Sequence, residues 1–220
     1  MTTRLAVFDC DGTLVDSQAN ICLAMEHCFD AHRLPPPDRH AIRRIVGLSL
    51  VEAVARLHPL GEARQHEAMA QDYKLAFQKL RGNGGLADEP LFDGIVDVLD
   101  AFEDAGWQLG VATGKSDRGL AMILAHHRID RRFVTLQTAD RHPSKPHPAM
   151  LEAAIAKGGA KPATTLMIGD TSFDMAMGVA AGARPIGVGW GYHPPAELHA
   201  AGAASVAMDA RELARHAALV

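Results

Sequence analysis

The sequence predicts an α/β protein: a parallel sheet with helices on both faces, interrupted by an all-helical insertion. Two observations carry this expectation. Short apolar runs alternate with amphipathic stretches over most of the chain, the pattern of strand–helix–strand units. Between Gln18 and about Pro90 the alternation stops, and only helical patterns are present. The first strand is Leu5–Asp9, an apolar run ending in two carboxylates, Asp9 and Asp11, before a Gly12-Thr13 turn. Helical patterns at Ala19–His32, Arg39–Val46, Ser49–His58 and Glu62–Arg81 follow. They are broken by Pro35-Pro36-Pro37, Gly47, Pro59 and the run Gly82-Asn83-Gly84-Gly85. Strands are then expected at Gln108–Thr113, Phe133–Thr138, Thr165–Gly169, Ile186–Gly189 and, more weakly, Ser205–Met208. Helices are expected at Gly94–Ala105, Asp117–His127, Pro148–Lys157, Phe173–Ala181, Pro195–Ala201 and Ala210–Leu219.

Composition sets bounds. The chain has 220 residues and is 48% hydrophobic, enough for a sizeable core. Its net charge is −4, with acids and bases interspersed. No basic run suits nucleic acid, and no apolar stretch is long enough to span a bilayer. The chain moves directly into its first strand, so no signal peptide is expected and the expected location is cytoplasmic. The three cysteines, Cys10, Cys22 and Cys28, form neither a disulfide framework nor a zinc motif. Cys10 reads as a small buried side chain pointing away from the acids beside it. The histidines are scattered without metal-ligand spacing. No feature points to an oligomeric state.

Four groups fall at the ends of predicted segments, and strand ends are where such sheets bind ligands. The first is Asp9/Asp11. Two like charges at the mouth of a buried strand are costly unless a cation or proton neutralises them. The second is Thr113-Gly114-Lys115-Ser116, a hydroxyl and free N–H groups at a helix start, which suit a phosphate. The third is Ser144-Lys145-Pro146, where an ammonium offsets phosphoryl charge. The fourth is Gly169-Asp170 with Asp174 in the next helical turn; hard oxygens of this kind suit Mg²⁺. Singly each has a plain reading: Thr-Gly is common at turns, Lys145 fits solvated surface, and Asp174 fits a favourable acid at a helix N-terminus. Spacing adds information. A strand–helix–strand unit takes about 30 residues. Thr113 to Lys145 and Lys145 to Asp170 are each about one unit, whereas Asp9 to Thr113 is longer by about 70 residues, the size of the insertion.

In order and context, the four groups resemble the motifs of the haloacid dehalogenase-like hydrolases, most of which are magnesium-dependent phosphatases. The resemblance covers Leu5–Ser17 and roughly Phe92–Gly189. The position of the insertion resembles that of the subgroup containing phosphoglycolate phosphatases and β-phosphoglucomutases. The resemblance implies a Rossmann-like core of residues 1–17 and 91–220 and a helical cap domain of residues 18–90. It implies Asp9 as the nucleophile that takes the phosphoryl group, and Asp11 as the acid that protonates the leaving oxygen and then activates water. Mg²⁺ would be held by the Asp9 side chain, the Asp11 backbone carbonyl and Asp170, with Asp174 behind them. Thr113 and the Gly114 N–H would hold phosphoryl oxygens, and Lys145 would neutralise charge.

Asp11 discriminates within the family. Dehalogenase members and phosphonatases lack an acid there, and ion-pumping ATPases carry Lys. An acid two residues after the nucleophile resembles the phosphatases and phosphomutases. The expected partner is a small phosphorylated metabolite, with phosphoglycolate as the leading single substrate. A sugar-phosphate phosphomutase is the near alternative. A phospho-accepting signalling receiver is the alternative from another class, although the insertion and Asp170/Asp174 have no place in that compact fold. A catalytically silent binding module fits least, since every catalytic position is filled. Arg43, Arg44, Gly47 and Ser49 stand where they could meet substrate, or form a solvated helix end. The second motif has Gly where many phosphoglycolate phosphatases have Asn. Lys115 either touches substrate or covers the helix start.

Overall fold

The computed structural model describes residues 2–218. Six strands form one parallel sheet: β1 (Leu5–Phe8), β2 (Gln108–Thr113), β3 (Phe133–Thr138), β4 (Thr165–Gly169), β5 (Arg184–Val188) and β6 (Ser205–Ala207). Their order is β3-β2-β1-β4-β5-β6. β1 lies between β2 and β4, so the winding reverses across it, and the crevice at such a reversal lies beyond the strands' carboxyl ends.

Alternation along β1 supplies both faces of the core. Ala6 and Phe8 join one apolar cluster with α5 (Ile95–Asp104), α6 (Asp117–His126) and α10 (Ala210–Arg215). Leu5 and Val7 join the other, with α7 (Ala149–Gly158) and α8 (Ser172–Ala180). All four β1 residues are buried, as a central parallel strand covered on both sides requires. The remaining helix of this part, α9 (Pro195–Ala200), places Leu198 against Gly187 of β5.

Every expected strand is present. β5 begins earlier than expected because Pro185 lies inside it. Pro185 O accepts from Ala204 N at 2.9 Å, so the proline nitrogen also faces the β6 side. The β5–β6 ladder starts only at Ile186, so no ladder bond is lost there. The expected helix to Leu219 ends outside the described residues.

Residues 18–82 carry the four helices of the insertion: α1 (Gln18–Ala31), α2 (Arg39–Arg43), α3 (Leu50–Leu57) and α4 (Ala63–Gly82). They have their own apolar cluster, including Met25, Phe29, Val54, Met69 and Tyr73. α2 is shorter than the expected Arg39–Val46; the chain continues as turns to Gly47, whose φ of 96° favours glycine. The two connecting segments run side by side: Asp16 N donates to Pro90 O at 2.9 Å, and Phe92 N donates to Leu14 O at 3.0 Å. Asn20 bonds both the N–H and the carbonyl of Ala87, each at 2.9 Å. The insertion sits on the sheet end through the Ser49 N–Ser144 Oγ bond (2.8 Å), the Lys74–Asp140 pair (3.2 Å) and the Arg44–Glu197 pair (2.5 Å).

Phe102 of α5 is buried edge-to-face against Phe8 at 5.7 Å and Trp107 at 5.6 Å. Phe102→Ala is expected to cost about 3–5 kcal/mol of stability. Urea unfolding checks it, and a loss below about 1 kcal/mol would contradict the packing account.

Candidate active site

Two adjacent parallel strands and the helix that follows one of them deliver the acids to one edge. Asp9 directly follows β1, and its N–H still donates to Ile168 O at 2.8 Å. Asp170 directly follows β4, in register with β1. Asp174 lies in the first turn of α8 and closes a capping box: Thr171 Oγ1 and N donate to Asp174 Oδ2 at 2.7 and 3.1 Å. All three carboxylates are buried, and one oxygen from each lies within 4.8 Å of the others. Lys145, buried ahead of α7, places Nζ 2.9 Å from Asp9 Oδ1 and 2.6 Å from Asp174 Oδ1.

The neighbours hold Asp170 from both sides. Thr13 Oγ1 donates to Asp170 Oδ1 at 2.8 Å, and Tyr192 N donates to Asp170 Oδ2 at 2.9 Å. Gly12 makes this approach possible. Its φ is 85°, and a Cβ there would stand 2.3 Å from Asp170 Oδ2.

The cluster is short of positive charge. Burial raises the Asp9 carboxyl to about 7, reinforced by Asp174 and only partly offset by Lys145. Burial and the charges of Asp174 and Asp9 likewise push Asp170 well above the usual range. Burial alone would pull Lys145 down, but Asp174 and then Asp9 outweigh it, so its ammonium titrates above the ordinary range. Among the described residues neither Asp9 oxygen accepts an aligned hydrogen bond; Lys145 meets Oδ1 as an ion pair only. The orphaned Asp9 oxygens, with two further buried carboxylates beside them, form a hard donor set that fits a divalent metal ion.

The Asp11 carboxylate stands apart from this trio. It accepts from Ser17 Oγ and pairs with Lys115 Nζ at 2.8 Å. Burial lowers Lys115, but Asp11 more than reverses this and keeps it charged. Cys10, between Asp9 and Asp11, turns into the core. Thr113 is buried at the end of β2, and its Oγ1 accepts from Lys115 N at 3.3 Å. At Gly114 a Cβ would stand 2.5 Å from Leu48 O, so the insertion's turn lies directly on this backbone.

Sequence reasoning leaves Thr13, Ser17 and Tyr192 unassigned as functional. Thr13 and Ser17 fall within the first motif, where they read as turn and linker. Tyr192 carries a fainter signal, the run Gly189-Trp190-Gly191-Tyr192 after a strand. Gly191 is needed there because its Cβ would lie 2.2 Å from Asp170 Cβ.

A cavity of about 290 Å³ opens between α1, α3 and α4 on one side and the β2–α6 turn on the other. Asp11, Gly114 and Lys115 form its inner end, while Asp9, Asp170 and Asp174 do not line it.

Comparison with known proteins agrees with this geometry. The chain is 37% identical over 202 residues to the probable phosphatase IndB of Dickeya dadantii, spanning 90% of this chain and 86% of that protein. It is 31% identical to the N-acetylmuramic acid 6-phosphate phosphatase of Pseudomonas aeruginosa, spanning 95% and 92%. Among solved structures, a hydrolase from Pseudomonas syringae superposes with a TM-score of 0.85 at 25% identity, covering 99% of both chains. The profile of the haloacid dehalogenase-like hydrolases matches residues 6–188, and it is to this family that the chain belongs.

Proposed function

We propose that the protein is a cytoplasmic, Mg²⁺-dependent phosphatase that hydrolyses a small soluble phosphomonoester through an aspartyl-phosphate on Asp9. The observation that carries this reading is the buried trio Asp9, Asp170 and Asp174 around the single ammonium of Lys145. In this reading Asp9 and Asp170 hold Mg²⁺ with the Asp11 backbone carbonyl, and Asp174 supports them. When bound, the ion supplies the positive charge that lets a phosphate dianion approach these carboxylates.

The remaining chemistry belongs to the chain. A carboxylate oxygen of Asp9 forms a bond to phosphorus as the ester P–O bond breaks, and Asp11 gives a proton to the departing alkoxide. Asp11, now a base, takes a proton from water as that water attacks phosphorus. The Asp9–phosphorus bond breaks, and Asp9 and inorganic phosphate are regenerated. Thr113 and the Gly114 N–H hold phosphoryl oxygens, and Lys145 balances charge on Asp9. Phosphoryl transfer asks a protein mainly for position and charge stabilisation, which these groups supply. Residues 18–90 act as the cap domain and residues 1–17 and 91–220 as the core, with the paired connectors near Asp16 and Pro90 as the hinge.

Asp9→Asn is expected to abolish phosphate release from a phosphomonoester panel while circular dichroism stays unchanged. EDTA is expected to abolish release by the parent protein, and Mg²⁺ to restore it. Activity surviving in the variant would remove the covalent mechanism. Lys145→Met leaves three buried carboxylates without their ammonium, a loss of about 3 kcal/mol. Its thermal midpoint should fall further in EDTA than in Mg²⁺; equal falls would count against cation binding at this trio. Gly114→Val drives a methyl group toward Leu48 O and is expected to lower kcat/KM at least tenfold. Unchanged kcat/KM would show that turnover does not need the insertion seated there.

A further inference from the structure

We infer that the cavity beyond Asp11 receives the leaving group of the substrate, and that this group is aromatic: the preferred substrate is an aryl phosphate rather than phosphoglycolate. This rests on the phosphatase reading above and assigns the substrate class of that site. Three observations support it.

The first is the wall. Ile21 and Met25 of α1, Leu50 of α3, Tyr73 and Phe77 of α4, and Met122 of α6 line the space. Tyr73 and Phe77 are tilted 42° at 6.1 Å, an aromatic wall flanked by two thioethers. Thioether sulfur and aromatic faces favour contact with a further ring.

The second is size. A volume of about 290 Å³ is near the lower bound of small-molecule pockets and accommodates one or two fused rings. A two-carbon glycolate would leave most of it unfilled.

The third is charge. A glycolate carboxylate taken into this wall needs a cation, because an unpaired buried charge is costly. The cations along the cavity are engaged. Lys115 stands 2.8 Å from Asp11 at the inner end of the cavity, where the phosphoryl group sits, and Lys74 pairs with Asp140 at 3.2 Å. Arg81 lies over the Phe77 ring at 5.2 Å and reaches Glu89 at 3.8 Å. Arg118 is exposed, at the solvent-facing rim of the cavity, where it suits a polar tail on the ring rather than a buried carboxylate. With an aryl phosphate the reaction is unchanged in its balance. The aryl oxygen–phosphorus bond breaks as the Asp9 oxygen–phosphorus bond forms, and the aryloxide leaves with a proton from Asp11.

The test compares 1-naphthyl phosphate with phosphoglycolate in Mg²⁺. The expected kcat/KM is at least tenfold higher for the aryl ester. Phe77→Glu and Met122→Glu should each lower that ratio at least fivefold; Met122 is exposed on α6, so its variant tests the wall without burdening the fold. Calorimetric binding to Asp9→Asn separates binding from turnover: 1-naphthyl phosphate should bind at least tenfold tighter than inorganic phosphate, and Met122→Glu in that background should erase the difference. If neither ester is hydrolysed by the parent protein yet this binding pattern holds, the phosphatase reading fails and the aryl pocket stands. If both esters are hydrolysed with no aryl preference, or Met122→Glu leaves the ratio unchanged, the aryl pocket fails and the phosphatase reading stands. Equal binding of 1-naphthyl phosphate and inorganic phosphate also overturns the aryl pocket.

Discussion

Three buried carboxylates meet with a single buried ammonium that pairs with two of them, Asp9 and Asp174, and the rest of the structure is arranged around the cost of that arrangement. Ion pairing in a dry interior offsets desolvation only with good geometry and added hydrogen bonds. Asp174 meets that condition through Thr171 and Lys145, and Asp170 through Thr13 and the Tyr192 amide. Asp9 does not: its oxygens accept no aligned hydrogen bond, and its carboxyl is raised to about 7. The imbalance falls on the residue that the proposed mechanism uses as nucleophile. Strain left at a reacting group, with its neighbours satisfied, is how a site keeps one group available for chemistry while the scaffold stays folded.

The sheet order makes this convergence possible. β1 and β4 are adjacent and in register, with Phe8 opposite Ile168, so Asp9 and Asp170 leave their strands within one residue of the same level. α8 then returns Asp174 to the same point within one turn, and Lys145 arrives from the segment ahead of α7. None of these residues needs a long excursion from a regular element. Glycines at 12 and 191 let two loops close on Asp170, where any side chain would collide with it. A site built from strand ends and first helical turns is held by the same backbone bonds that hold the core.

Most of the fold is legible in the sequence because apolar period and polar punctuation agree, as they do at Leu5–Phe8 and Thr165–Gly169. The exceptions have local causes. Pro185 reads as punctuation, yet its nitrogen faces a stretch where the β5–β6 ladder has not begun, so a strand tolerates it. Residues after Arg43 keep a helical pattern, but a left-handed Gly47 and contact with the sheet end turn the chain. At the site, residues that meet neighbours close in sequence or at strand ends are readable. Thr13, Ser17 and Tyr192 are not, because their partners depend on how two loops fold together rather than on any spacing. Asp11 and Lys115 are both conspicuous in the sequence, but only the structure brings them into one ion pair.

The segment after β5 joins the acidic trio to the insertion. The Tyr192 amide holds Asp170, while its ring packs against the insertion's apolar cluster. His193 N donates to Asp170 O at 3.2 Å. Its Nδ1 accepts from Ser172 N at 3.0 Å, which leaves Nε2 as the donor toward Arg44 O at 3.3 Å. Burial and the Arg44 charge lower the His193 imidazole, consistent with that neutral form. Arg44 itself pairs with Glu197 at the start of α9. Two consecutive residues therefore contact both Asp170, one at its carboxylate and one at its backbone carbonyl, and the insertion above it. Lifting the insertion would break the Arg44 contacts and expose the Tyr192 ring, loosening the loop that positions Asp170. The contacts that hold Asp170 and those that seat the insertion thus meet in two neighbouring residues, Tyr192 and His193.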